Sequence, residues 1–307
     1  MTEKHRPVLL AETVSALVKV EGSNGTFVDA TFGRGGHSVE ILQHLGPEAK
    51  LLAIDQDLAA VEAAHRLAGS DPRVLVCHGR FGNLRGSLQS AGIEAVDGVL
   101  MDLGVSSPQL DDPGRGFSFS SDGPLDMRMD QSAQQTAASW VNEAAEADIS
   151  RVLREYAEER YARRIAAAIV RQRPLHTTSD LVAAVRAGQP RGTPGKHDAT
   201  RTFQAVRMHV NDELGELRRG LDAAFESLLP GGRMVVISFH SLEDRLVKRF
   251  CKSLTSSQAL PRRIPVRGQG GSARALSVSG PLRAGEQERA ANPRSRSAVL
   301  RAVERVA

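Results

Sequence analysis

The chain has 307 residues, 41% of them hydrophobic and 25% charged, ordinary proportions for a globular protein with one sizeable core and room for a second small domain. Met1-Thr2-Glu3-Lys4-His5-Arg6-Pro7 lacks the apolar centre of a signal peptide, and no apolar run is long enough to span a bilayer. A cytoplasmic protein with no membrane partner is therefore expected. Cys77 and Cys251 form no metal-ligand spacing, so free thiols and no metal site are expected. The net charge of +4 hides an asymmetry: from Arg245 onward 14 Lys and Arg face three acids, a surplus of +11 that leaves about −7 on the rest. A basic end of this kind suits a polyanion such as RNA, or is a solvated tail.

In chain order, Pro7 to Leu17 has helical spacing and is expected to pack at the edge of the core. Thr26-Phe27-Val28-Asp29 reads as a strand, Gly33-Arg34-Gly35-Gly36 as a tight turn, and the following run, with Val39, Ile41, Leu42 and Leu45, as a helix capped by Ser38. Lys50 to Asp55 is a second strand. A strand, glycine turn, helix and acid-ended strand make up half of a nucleotide-binding unit. Asp55 lies 20 residues after Gly35, the separation at which a carboxylate accepts hydrogen bonds from ribose hydroxyls. The glycine pattern lacks the third glycine of the dinucleotide fingerprint, which argues against a nicotinamide-dependent oxidoreductase.

A helix over Leu58 to Leu67, a strand over Val74 to His78, a further helix, and a strand over Val96 to Leu103 continue the alternation, which implies a parallel sheet. Asp55, Phe81 and Asp102 each follow a successive strand, where ligands of such sheets collect. The alternation then stops. Asp111 to Phe119 reads as a loop, followed by about a hundred polar, helical residues. Gln189 to Thr200 reads as a flexible loop, and one long helix is expected to carry Phe203, Val206, Val210, Leu214, Leu217, Leu221, Phe225 and Leu228. A strand resumes at Arg233 to His240 after the turn Pro230-Gly231-Gly232. Arg267 to Gly280 reads as Gly/Ser-rich and mobile, and Ser297 to Val303 as a last short strand. The expected organisation is a core over 1–112 and 218–307, with the basic region in its second part, and an inserted helical domain over 113–217.

Asp102-Leu103-Gly104-Val105-Ser106-Ser107-Pro108 puts a carboxylate and a polar, proline-containing loop at a strand's carboxyl end. Such a set can hydrogen-bond the N–H groups of an exocyclic base amine, restore its electron density and aim it at an electrophile. Asp102 either touches the reacting groups or caps a helix; Phe81 either stacks near an adenine or packs in the core. His240, at the end of the strand after the insertion, either positions a base or relays a proton, or is held by core hydrogen bonds. Asn211, a poor helix former in mid-helix, either contacts substrate or faces solvent. Asp126 and Arg128 make a candidate charged pair.

Asp102 to Asp111 resembles the signature of the bacterial MraW/RsmH family, the 16S ribosomal RNA cytosine-N4 methyltransferases. So do His5 to Leu10, Thr31 to Ser38, Asp122 to Asp130, Ala199 to Arg207, Ser238 to Arg245 and Asn292 to Ser297, in family order along almost the whole chain. The resemblance implies a class I, Rossmann-like methyltransferase sheet with an inserted helical recognition domain. It implies S-adenosyl-L-methionine as cofactor and a cytidine in the decoding centre of the small ribosomal subunit as target. Carried over residue by residue, it places the cofactor against Gly35, Gly36, His37, Asp55, Phe81, Asp102 and Gln109. Ser107, Pro108 and Asn211 would face the substrate, and Asp102 and His240 the chemistry. The wider amino-methyltransferase pattern has an aromatic where Gln109 stands, so base stacking is left to Phe117, Phe119 or Phe239. A non-catalytic ribosome-binding factor is the alternative, and monomer and homodimer both stay open.

Overall fold

A computed structural model describes residues 7–190, 199–256 and 273–306. The His5-Arg6 motif, Gly192, Pro194 and Gly195 of the expected loop, and Arg267 to Ser272 lie outside them. The chain divides into two compact units, Met1–Gly104 with Gly215–Ala307, and Val105–Leu214.

The first unit opens with α1 (Leu10–Leu17) and runs through β1 (Thr26–Asp29), α2 (Gly36–Gln43), β2 (Lys50–Asp55), α3 (Leu58–Ser70), β3 (Val74–His78), α4 (Leu84–Ser90) and β4 (Val96–Asp102). The second unit holds α5 (Ser107–Asp111), α6 (Ala137–Glu143), α7 (Glu146–Ala157), α8 (Ala162–Arg171), α9 (Thr178–Gly188) and α10 (Thr200–Val210). With α11 (Glu213–Ser227) the chain returns to the first unit and adds β5 (Leu228–Ser238), α12 (Ser241–Thr255), β6 (Ala275–Ser277), α13 (Glu286–Ala291) and β7 (Val299–Arg305).

The sheet order is β3-β2-β1-β4-β5-β7-β6. The first five strands are parallel; β7 is antiparallel to both of its neighbours. The strands are near-continuous apolar runs because both faces are covered. Their period of two sends Phe27, Leu51, Ala53, Leu100, Val235 and Ile237 into one core with α1 and α2. Val28, Leu52, Ile54, Met101, Met234 and Val236 enter the other, against α4, α11 and α12. Each such fully buried aliphatic chain contributes roughly 2 kcal/mol. The second unit has its own core, in which Trp140, Ile149, Leu153, Ile165, Ile169, Leu181 and Phe203 meet.

Five expectations need correction. Helix α2 starts at Gly36 with Gly35 as its N-cap, so Ser38 lies inside the helix, its hydroxyl spent on Asp29, and does not cap it. The long helix is two: α10 stops at Val210, Asn211 is its C-cap, and Asp212 takes φ 50°, a left-handed turn that an unbroken helix cannot contain. The strand after it starts at Leu228, paired with Val96 before a register shift over the Pro230-Gly231-Gly232 turn. The stretch from Asp111 to Phe119 is partly helical, with the end of α5 and a 3-10 turn over Pro113–Arg115. Within Arg267 to Gly280, Ala275–Ser277 forms β6, paired with β7.

Candidate active site

Within the first unit the carboxyl ends of β1, β2 and β4 each carry an aspartate, and backbone links between the strands hold these ends together. Ala30 N–H donates to Leu100 O, and Phe32 N–H to Ile54 O. Thr31 Oγ1 accepts the Asp102 N–H at 2.6 Å, fixing the end of β4 to the turn after β1.

The three carboxylates are held differently. Asp29 is 1% exposed; it accepts from Ser38 Oγ at 2.6 Å and from the Thr31 N–H, and burial pushes its pKa up to about 6. Asp55 accepts the Gly33 N–H at 2.8 Å and the Asp57 N–H at 2.9 Å, one on each oxygen, so it braces the glycine turn. Burial still holds it above the usual carboxylate range. The Gln56 backbone N–H adds a third hydrogen bond, which leaves one of the carboxylate's roughly four acceptor positions for a ribose hydroxyl. Asp102 has neither kind of support. Its side chain is 26% exposed, but Oδ1 is buried with no hydrogen-bond partner. Burial, then the neighbouring charges of Asp29 and Glu243, place its pKa well above the usual range.

The turn itself is built around contacts. Gly35 has φ 75°, and a Cβ on it would lie 2.4 Å from the Phe32 ring; a Cβ on Gly36 would lie 2.3 Å from Pro7 Cγ. Pro7 to Leu9 thus form a strap over the turn. Val8 O lies 3.1 Å from His37 Nε2, and the Leu9 N–H donates to Glu288 Oε1 at 2.8 Å. A carbonyl can only accept, so His37 carries its proton on Nε2 and turns the Nδ1 lone pair toward Asp102 Oδ2, 3.6 Å away. That distance is too long for a hydrogen bond. Burial lowers the His37 pKa to about 4, so the imidazole is neutral and makes no ion pair. Two lone pairs would face each other were Asp102 ionised, which favours a protonated carboxyl in the free protein.

At the N-terminus of α2 the N–H groups of Gly36, His37 and Ser38 find no acceptor among the described residues. These donors suit a carboxylate, and Asp55 suits a ribose. Amino-acid and nucleoside ends of one ligand thus both find partners here.

Phe81 begins a 3-10 turn after β3 and lies against α11, where a Cβ on Gly220 would come within 2.5 Å of its ring. It is only partly buried. His240 is the N-cap of α12: the Glu243 N–H points at Nδ1 (3.4 Å), while Nε2 lies 3.0 Å from Glu243 Oε1. Glu243 Oε2 also accepts the Phe239 N–H at 2.9 Å.

The remaining sequence-derived candidates belong to the second unit. Ser106 caps α5, with Ser107 and Pro108 in its first turn, and Gln109 Oε1 accepts the Ser106 N–H at 2.9 Å. Asn211 is 2% exposed and committed: Oδ1 accepts the Met129 N–H, and Nδ2 donates to Met127 O and Arg207 O, all at 2.8 Å. Asp126 and Arg128 form a two-point pair, and Phe119 packs edge-on to Phe203. Sequence reasoning missed Asp29, Thr31 and Glu243. The available signal was that β1, like β2 and β4, ends on an acid.

Part of the C-terminal basic surplus is consumed internally. Arg274 pairs with Glu226, Arg301 with Asp244 at 2.8 Å, and Arg305 donates to the carbonyls of Glu226 and Leu228. Lys248, Arg249 and Lys252 stay exposed along one face of α12.

A parallel sheet of this order, with an antiparallel strand beside β5 and acids at the ends of β1, β2 and β4, defines a class I methyltransferase core. The chain belongs to the MraW methylase family, whose model matches residues 2–306. It is 49% identical to ribosomal RNA small subunit methyltransferase H of Burkholderia vietnamiensis, over 99% of this chain and 98% of the relative. It is 50% identical to the protein of the same name from Chromohalobacter salexigens, over 99% and 92%. An rRNA methylase structure from Streptococcus thermophilus aligns over 100% of both chains at 10% identity with a TM-score of 0.44.

Proposed function

We propose that this methyltransferase modifies the exocyclic N4 amine of a cytidine in the decoding centre of 16S rRNA, within cytoplasmic small ribosomal subunits. S-adenosyl-L-methionine supplies an electrophilic methyl group on a sulfonium centre. The N–H groups of Gly36, His37 and Ser38 would hold its carboxylate and Asp55 its ribose, and Phe81 would border the adenine.

The observation that carries the reading is the unpartnered, buried Oδ1 of Asp102 at the end of β4. A cytosine amine is a poor nucleophile because its lone pair is delocalised into the ring. A carboxylate accepting one of its N–H bonds returns electron density to nitrogen and receives the proton that nitrogen sheds once the new N–C bond has formed. Burial favours the protonated form of Asp102 in the free protein; a nearby cation favours its ionised form, the proton passing to solvent, so the acceptor is created where it is needed. His240, fixed as a helix cap, would hold the end of β5 and line the base. Ser107 and Pro108 offer a rigid helix start for the base edge. Gln109 and Asn211 act on cofactor and substrate through the turns they fasten. The helical unit serves as the RNA-recognition insert.

The test is methyl transfer to small subunits from cells lacking this protein, followed by mass spectrometry of rRNA nucleosides. N4-methylcytidine with wild type, and its loss with Asp102→Ala, is the expected pair of results. Labelling of a carbon or a ribose hydroxyl, or no labelling, would overturn the reading.

A further inference from the structure

Three arginines of the second unit are neutralised at short range: Arg151 sits 3.3 Å from both Asp148 and Glu155, Arg128 is clasped by Asp126, and Arg207 meets Glu213 through two contacts of 2.7 Å. Helix α8 is different. Its inner face, Ala162, Ile165, Ala166, Ala168 and Ile169, is buried. Its outer face presents Arg163, Arg164 and Arg171, all exposed and without an ion-pair partner among the described residues. Arg163, Ala167 and Arg171 follow one another at i, i+4 and i+8, one row along the helix, with Arg164 beside it. From Arg160 to His176 the sequence contains five arginines and no acid.

We infer that this face of α8 binds the phosphate backbone of the rRNA substrate, an assignment that rests on the proposed rRNA methylation. Three guanidinium groups spread over about 12 Å of helix axis offer planar, two-point donors to successive phosphates. Nothing on α8 supplies the cross-neutralisation that Arg151 finds on α7, so the face carries a net charge of +3 that attracts a polyanion. A membrane surface fits less well. Every large apolar side chain of α8 except Val170, itself partly buried, faces inward, leaving none to insert into lipid. The small Ala167 at the middle of the row keeps the surface flat enough for a backbone to lie across it.

The experiment compares wild type, the triple variant Arg163→Gln/Arg164→Gln/Arg171→Gln, its Lys counterpart, and Arg151→Gln on α7. Small-subunit affinity is measured by sedimentation over a range of salt concentrations, and cofactor affinity by calorimetry as a check on folding. The triple Gln variant should bind subunits about 10-fold more weakly, with a salt slope shallower by about 3, since each phosphate contact contributes nearly one unit. Its cofactor affinity should match wild type. The Lys variant should recover most of the salt slope, and Arg151→Gln should stay within twofold. Unchanged affinity and slope in the triple Gln variant would overturn the inference. So would a loss seen with anionic vesicles or an acidic protein but not with subunits. Sedimentation needs no turnover, so a wild type that binds subunits yet transfers no methyl group would break the proposed function while this test still reads α8.

Discussion

Asn211 and Asp102, one in each unit, carry buried polar atoms treated in opposite ways. In the second unit, Asn211 spends its amide on three 2.8 Å hydrogen bonds, and Arg128 saturates against Asp126 and the carbonyls of Gln131 and Ala133. In the first, Asp102 keeps a buried oxygen unpartnered, and Asp29 and Asp55 are held above the usual range of a carboxylate. A satisfied buried polar group specifies a shape; an unsatisfied one costs stability and is retained where a ligand completes it. Between these two residues the contrast sets a scaffold role against a chemical one.

The sharpest way to break this contrast is at Asp102. Asp102→Ala should lower single-turnover methyl transfer by about a thousandfold, within the range of a general acid–base group, while urea unfolding shows stability equal to or above wild type. A destabilised variant with near-normal turnover would place Asp102 with the scaffold. Asn211→Ala should do the reverse, costing about 3 kcal/mol because it strands the buried Met129 N–H and the Met127 carbonyl, while Arg207 O keeps the backbone N–H of residue 211. Trp140, the single tryptophan, lies in the core of that unit, so its fluorescence reports the loss directly.

The carboxyl end of β1 predicts a pH signature. An acid whose folded pKa is raised holds its proton where the unfolded chain has lost it. Asp29 therefore stabilises the fold below about pH 4, and the contribution, about 3 kcal/mol, disappears as the pH rises to about 6. His37 works in the other direction: the unfolded chain takes up a proton near pH 6.5 that the folded imidazole refuses until about 4, so stability falls as the pH falls. The two slopes offset in wild type. Asp29→Asn should make stability fall more steeply toward acid, and His37→Gln should make it rise toward acid, both read from urea midpoints between pH 4 and 6.5. Parallel curves for all three proteins would remove the case for perturbed groups here. The smallest effect belongs to the surface of the second unit: Arg151→Gln should cost no more than about 0.5 kcal/mol, as expected of exposed pairs.

The strands of the first unit were legible because each is an apolar run with both faces covered, and Asp55 and Asp102 because they end such runs. Asp29 was not legible because its strand is only four residues long and runs directly into a glycine turn that carries the stronger ligand signal. The break at Asn211-Asp212 was hidden because Val206, Val210, Leu214 and Leu217 keep helical spacing across it; periodicity records faces, not a single left-handed residue. The capping role of His240 was unreadable, as histidine is outside the usual set of capping residues. The arginines of α8 vanished in the charge count because Glu146, Asp148, Glu155, Glu158 and Glu159 just before them offset much of the block.

The strap over the glycine turn has a consequence for the order in which the protein is made. Leu9 leaves the ribosome 279 residues ahead of its partner Glu288, so the roof over Gly36 and His37 closes only after residue 288 has been added. A nascent chain halted before residue 288 would carry every strand from β1 to β5 yet leave Leu9 unanchored. Full activity would thus be withheld from incomplete chains by the covalent order of the polypeptide alone.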